Sequence, residues 1–356
     1  MNLFFKSLLA GTLALGSILD TFAQEKINSD IISTPKFGGY IIGKYSYQDN
    51  DNTTTNGDGF NARLIRVYVD GSVLKDFKYR LQVEVNGDPG ESKGPHIKDF
   101  YIEWAKYKEF TIRVGQFKRA FTFENPYNPW DVGLGDYSLI VKKFTSMGPG
   151  DRCGEPSTGG RDQGIWFQGD LIPDKNDGHR YIHYQLGMYN GSGINHADNN
   201  KQKDFMGTIQ VQPIKDLYIG AFGWTGTYGA QGYQVDRNRY AFGLKYEKDW
   251  TVRSEWGHSQ GRKYDGKTVG GVGYDKADAF YATVGVPVSK LIKVYLKYDQ
   301  YRDGKLDENK TAIYSISCNI RPHKNLMFQL QYNYVNDKTA IDTKYNQLWA
   351  ETYIRW

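Results

Sequence analysis

The chain has 356 residues and a formal net charge of +5, with aromatic residues at 15 %, 40 glycines and only 2 cysteines. So many aromatics and glycines exclude both a Leu- and Ala-rich helical bundle and a disordered chain, leaving an all-β fold. The mild charge offers no support for nucleic-acid binding, and two cysteines rule out a disulfide scaffold or a multi-cysteine metal site.

Taken from the start, the first 23 residues have the form of a secretory signal: Lys6, an apolar stretch from Ser7 to Leu19, then Thr21-Phe22-Ala23 as a small-x-small cleavage site. Cleavage after Ala23 is expected to leave a short N-terminal segment over 24–35 and a single barrel over 36–356. No later run reaches the roughly 18 apolar residues of a transmembrane helix, and no cysteine follows the cleavage site to carry a lipid anchor.

From Lys36 onward, apolar and polar residues alternate over ten to thirteen positions and then break, which is the period of a strand with one wet face. Leu326, Phe328, Leu330, Tyr332 and Tyr334 alternate with Met327, Gln329, Gln331 and Asn333. The pattern predicts sixteen strands, over 36–48, 58–71, 77–87, 96–106, 110–118, 161–171, 179–190, 202–212, 216–226, 237–248, 249–260, 276–286, 290–302, 310–321, 324–336 and 345–356. In the second, the apolar phase slips between Leu64 and Ile65, which predicts a β-bulge with Arg63, Arg66, Tyr68 and Asp70 on the polar face. Tight turns such as Lys108-Glu109 and Lys248-Asp249 alternate with longer loops over 49–57, 227–236, 261–275 and 337–344. Short turns on one rim and long loops on the other mark a transmembrane antiparallel β-barrel of the outer membrane. The last strand ends with Trp356 on its lipid-facing phase, which resembles the assembly signal of such barrels.

The connection over 119–160 is far longer than ordinary loops. Its Phe121, Phe123, Tyr127, Trp130, Ile140 and Phe144 need cover, so this third long extracellular loop is predicted to fold into the lumen and constrict it.

At this loop the sequence resembles the phosphate-selective porin O and P family. The resemblance is carried by Val114-Gly115-Gln116-Phe117-Lys118 leading to Phe121 and Glu124, and by Gly160-Arg161-Asp162-Gln163-Gly164 opening the next strand. Asn61-Ala62-Arg63-Leu64, the Gly71 turn and the strand from Tyr79 to Asn86 also look like the family. Length and aromatic content resemble its Bacteroidetes branch. The resemblance implies a homotrimeric porin in a Gram-negative outer membrane, in contact with its lipid and lipopolysaccharide. It would pass small anions, phosphate in the archetypal members.

The residues themselves give an anion-pathway set. Arg63, Arg66, Arg80 and Arg113 lie on the polar phase of early strands, and Lys118, Arg119, Lys142, Lys143 and Arg161 lie in or beside the long loop. Guanidinium groups stay charged and offer forked donors to an oxyanion. Two arrangements remain open: a ladder of cations along one wall, or wall salt bridges to Glu84, Asp99 and Glu103. No cofactor, metal or catalytic residue is expected. His179 and His183, four apart in a strand, are separated by about 13 Å; Gly191-Ser192-Gly193 has no nucleophile elbow; and Asp49-Asn50-Asp51 lacks the Gly and closing Glu of a calcium loop. Cys153, in the loop, and Cys318, on a lipid-facing phase, are not expected to pair. The functional expectation is passive diffusion of small anionic solutes. The alternatives are a weakly selective general porin, an outer-membrane barrel enzyme, and a secreted glycan-binding β protein.

Overall fold

The computed structural model describes residues 31–50, 58–86, 94–148 and 150–356, so the expected signal over 1–23 lies outside the described residues. Its strands are β1 (Lys36–Gln48), β2 (Gly59–Val73), β3 (Phe77–Glu84), β4 (His96–Trp104), β5 (Thr111–Lys118), β6 (Arg161–Pro173), β7 (Arg180–Tyr189), β8 (Asp204–Ile214), β9 (Leu217–Thr225), β10 (Thr227–Tyr228), β11 (Val235–Asp236), β12 (Asn238–Glu247), β13 (Thr251–Gln260), β14 (Lys276–Pro287), β15 (Ile292–Asp303), β16 (Lys310–His323), β17 (Leu326–Asp337) and β18 (Lys344–Arg355). One helix, α1 (Leu139–Thr145), lies between β5 and β6.

Strands β10 and β11 pair only with each other, inside a loop, while the other sixteen form a closed antiparallel barrel. Closure joins β1 to β18, with Tyr40 opposite Arg355 and Tyr47 opposite Leu348. The small β10–β11 hairpin and helix α1 are additions that the alternation pattern did not show.

The barrel is apolar outside and wet inside. Leu81, Ile102, Val114, Leu186, Ile209, Phe242, Leu296, Ile316 and Leu330 are exposed on its outer face. In water so broad an apolar belt would be untenable; in a bilayer it is the required surface. Aromatic side chains fringe it at both ends, among them Trp104, Tyr107 and Phe110 near the short turns and Tyr298 and Tyr314 toward the long loops.

Two bulges set the inner surface. In β2 the register jumps from Ile42 opposite Leu64 to Gly43 opposite Ala62, so Arg63 is the extra residue, slightly earlier than the predicted slip between Leu64 and Ile65. In β4 it jumps from Gln82 opposite Asp99 to Val83 opposite Ile97, which leaves Lys98 as the extra residue. Each bulge adds a cation to the inner face and shifts the alternation by one residue across it.

Candidate functional site

The 119–160 connection crosses the barrel interior and is fixed to the wall over several strands. Phe121 packs on Trp224 with ring centroids 5.7 Å apart, and Phe123 on Phe222 at 5.1 Å. The Glu255 carboxylate accepts the Phe123 backbone N–H at 2.7 Å, and Asp299 accepts that of Leu139 at 2.9 Å. Helix α1 buries Leu139, Ile140, Val141 and Phe144, the apolar set that needed cover. Further along the wall, the Asn319 and Gln329 side-chain amides both donate to the Gly133 carbonyl at 3.0 Å. The loop's core therefore sits in the lumen, against wall residues of β9, β13, β15, β16 and β17.

Among the described residues, three cavities of the lumen share lining residues with one another. An outer cavity of about 1030 Å³ lies between the loop and β15–β18, with Asp136, Tyr137 and Lys142 on its floor. Those three residues also line a narrow passage of about 200 Å³ against the early strands. The passage shares Arg66, Lys118 and Arg161 with an inner cavity of about 360 Å³, which Arg80, Arg113 and Lys245 also line. The passage has six cations in its wall, Arg63, Arg66, Lys98, Lys118, Lys142 and Arg161, against one lining acid, Asp136.

Of the two arrangements left open by the sequence, the salt bridges form. Arg63 bonds Glu351 at 2.9 Å, Arg66 bonds Glu84, Arg80 bonds Asp70 at 2.7 Å, Arg113 bonds Glu103 at 2.7 Å and Arg161 bonds Asp99 at 2.9 Å. The acids of the two outermost pairs stand behind their partners: the Glu351 and Glu84 side chains are 0 % exposed, while Arg63 and Arg66 keep 15 % and 7 %. Arg113 is also stacked between Tyr101 and Trp166, 4.0 and 4.3 Å from their centroids. Lys118 is held without a carboxylate by the backbone carbonyls of Asn125, at 2.8 Å, and Tyr127. Lys142 pairs with Asp136 at 2.6 Å, and Lys143 lies on the outer cavity, 5.6 Å from the Tyr301 centroid. Burial works to raise the Asp136 carboxyl, but Lys142 and Arg63 outweigh it and hold the group at about 2. Burial and the neighbouring Lys142 pull the Lys143 ammonium below its ordinary value.

Arg119 is a correction. It was expected on the anion path, yet it is fully buried, bonding both oxygens of Glu155 at 2.7 Å and Asp162 at 2.8 Å. It anchors the base of the loop and lines none of the three cavities. Lys98 was missed because it is the extra residue of the β4 bulge, where a strict period of two loses count. His179 bonds Asp177 at 2.5 Å and His183 bonds Asp170 at 2.8 Å, so the two histidines have separate partners. Cys153 and Cys318 are both free.

A closed sixteen-stranded antiparallel barrel with an apolar outer belt and a loop packed into its lumen is an outer-membrane porin. Within that class, the chain belongs to the phosphate-selective porin O and P family, whose model matches residues 36–239. It is similar in structure to an anion-selective porin from Comamonas acidovorans, with 14 % identity over 91 % of this chain and 99 % of that one and a TM-score of 0.66. The outer membrane channel DcaP of Acinetobacter baumannii shares 13 % identity over 91 % of this chain and 97 % of its own, TM-score 0.62. The trimer form of OmpT, an outer membrane protein of Vibrio cholerae, shares 13 % over 92 % and 100 %, TM-score 0.61. At such identities the likeness is one of fold. No curated protein matches the chain in sequence.

Proposed function

We propose that this porin conducts small anions passively along the wall formed by β2–β6, phosphate among them. The observation that carries the reading is the narrow passage with six cations and one acid, in which the acids paired to Arg63 and Arg66 are turned away from the open space. An anion entering from the outer cavity meets Lys142 first, then Arg63, Arg66, Lys118 and Arg161, and leaves past Arg80 and Arg113. Confinement in a low-dielectric wall strengthens this preference and salt screens it. The wall pairs keep the guanidinium groups in place, and their acids lower the net charge, so moderate anion selectivity is the expected grade. No step here requires a reacting group, in keeping with a channel and not an enzyme.

The reading extends to assembly and address. A homotrimer accords with the trimeric Vibrio cholerae relative, and contact with outer-membrane lipid, lipopolysaccharide included, accords with the apolar belt and its aromatic fringes. Export by a signal cleaved after Ala23, with 36–356 as one barrel, accords with the tripartite start of the sequence.

The deciding experiment is the reversal potential of the purified chain in a planar bilayer under a salt gradient. Anion selectivity that weakens with rising salt is expected, together with block of chloride current by phosphate. Replacing Arg66, Arg80 and Arg113 together by Gln should move the reversal potential toward cations, more so at low salt. Cation selectivity in the unaltered chain would overturn the reading, and absence of phosphate block would reduce it to a general weakly anion-selective porin.

A further inference from the structure

The two sides of the outer cavity differ in chemistry. On its barrel wall, β17 contributes Gln331, Asn333 and Val335 and β18 contributes Tyr345, Gln347 and Trp349, none of them charged. Asp337, at the rim end of β17, is taken up by the Thr311 and Thr339 hydroxyls at 3.1 and 2.7 Å. On the loop side stand Lys142 and Lys143. Arg152 and Lys297 also line the cavity but are paired with Asp303 and Asp299, at 3.2 and 3.1 Å. Lys143 forms no ion pair among the described residues, and its ammonium lies 5.6 Å from the Tyr301 ring centroid.

The wall amides form one head-to-tail row. Gln331 accepts the Gly135 backbone N–H at 2.6 Å and donates to Asn333 at 2.7 Å; Asn333 donates to Gln347 at 3.3 Å, and Gln347 to Gln48 at 2.6 Å. Strand register builds this row. Asn333 stands opposite Gln347, which stands opposite Gln48 across the closing seam, while Gln331 is two residues along the same face of β17. A primary amide has two N–H donors and two acceptor lone pairs, so Gln331, Asn333 and Gln347 each use one of each within the row and keep one of each. At its deep end the row reaches Gly135, next to Asp136 and its partner Lys142, the first cation of the passage.

A fully ionised phosphate offers acceptors only and leaves the spare lone pairs of such a row unmatched. Hydroxyl groups both donate and accept, so a ring carrying several of them matches amides that do the same. Tyr345 and Trp349, on the same wall, supply the apolar surface that ligand sites combine with a few placed polar groups. A volume of about 1030 Å³ is as large as small-molecule sites run.

We propose that the outer cavity is a recognition site for an acidic monosaccharide, with its hydroxyls on the amide row of β17–β18 and its phosphate or carboxylate on Lys142 and Lys143. The site rests on the reading of the chain as an anion-conducting porin and names the solute class that its outer cavity favours. The anionic group leads, because the row ends beside the lysine that opens the passage.

The test uses the full chain in a planar bilayer, with solutes added from the long-loop side and block of the chloride current as readout. The probes are glucose 6-phosphate, glucuronate, glucose, inorganic phosphate and phenyl phosphate, the last having a ring and a phosphate but no ring hydroxyls. Half-block by an acidic sugar is expected at a concentration at least about tenfold below that of inorganic or phenyl phosphate, because a site built to bond hydroxyls rejects analogues lacking them. The stronger blocker of glucose 6-phosphate and glucuronate identifies the anionic group. N333L/Q347L should abolish the preference and leave block by inorganic phosphate in place. Q347A, at a half-buried position, should lose part of the preference and decides the matter if heat-modifiable gel mobility shows the double variant unfolded. Q185L, which removes a bonded amide from the inner cavity, should keep it. Inorganic or phenyl phosphate blocking at least as well as both acidic sugars, glucose blocking as well as either, a full preference in folded N333L/Q347L or Q347A, or an equal loss in Q185L would each overturn the site. A folded chain that forms no anion-selective channel contradicts the porin reading, whereas normal anion conductance without preference for acidic sugars contradicts only this site.

Discussion

Glu255 on β13 accepts the backbone N–H of Phe123 at 2.7 Å, tying together residues 132 positions apart in the chain. The same carboxylate accepts the Glu124 N–H at 3.2 Å and the Tyr281 hydroxyl at 2.7 Å, all within the barrel. This one wall residue therefore holds the start of the constriction loop against the side of the pore away from the cationic wall. Glu255→Ala leaves three buried donors unmet, each costing about 1–3 kcal/mol. We expect higher and noisier single-channel conductance and faster proteolysis within 133–157, while Glu255→Gln, which still offers one carbonyl acceptor, gives an intermediate effect. Wild-type conductance in Glu255→Ala would mean that the remaining anchors hold the loop unaided.

Adjacent residues should separate structure from selectivity. Arg119 is a fully buried partner of Glu155 and Asp162, whereas Lys118 lines the passage. Removing one member of a buried pair costs about 3–5 kcal/mol. Arg119→Ala should lower the temperature of the heat-modifiable gel transition. Lys118→Gln should leave that transition near its normal value and shift the reversal potential toward cations.

Asp136 supplies a pH prediction. With Lys142 and Arg63 holding its carboxyl at about 2, below the ordinary carboxylate range, its stabilising charge is fully present at higher pH and is lost only as pH falls through about 2. It is the one acid lining the passage among the described residues, so Asp136→Asn should raise anion selectivity at neutral pH. The difference in reversal potential between wild type and Asp136→Asn should stay constant from pH 7 to pH 4. A difference that vanishes near pH 5 would show a carboxyl with an ordinary or raised pKa.

The seam of the barrel depends on a close approach. Gly39 and Trp356 exchange backbone hydrogen bonds of 3.1 and 3.4 Å, and a Cβ on Gly39 would come within 2.4 Å of the indole ring. Gly39→Ala should therefore reduce the yield of folded barrel in outer-membrane fractions. The Arg66 backbone carbonyl would lie 2.7 Å from the same methyl, so movement of the ring alone does not relieve the crowding. Normal folded yield in Gly39→Ala would show that the seam opens enough to take a side chain.

The barrel was legible in the sequence because its signals are local. Alternation along each strand assigns an inner and an outer face, and the unequal turns assign the two rims; both survive without knowledge of any partner strand. The wet phase of Arg66, Arg80 and Arg113, the slip near Arg63 and the need of Phe121, Phe123, Ile140 and Phe144 for cover could all be read in this way. What the charges do could not. Whether Arg63 meets Glu351, 288 positions away, is fixed by closure of β1 on β18 and by the neighbouring bulge in β2. Arg119 and Lys118 are equivalent in a one-dimensional reading, yet the turn out of β5 buries one between Glu155 and Asp162 and leaves the other beside the passage. Lys98 joins the passage only because an extra residue in β4 breaks the alternation. Periodicity thus determined which residues share a face, and three-dimensional closure decided which charges meet, because the Coulomb energy of an ion pair depends on distance in space and not on separation along the chain.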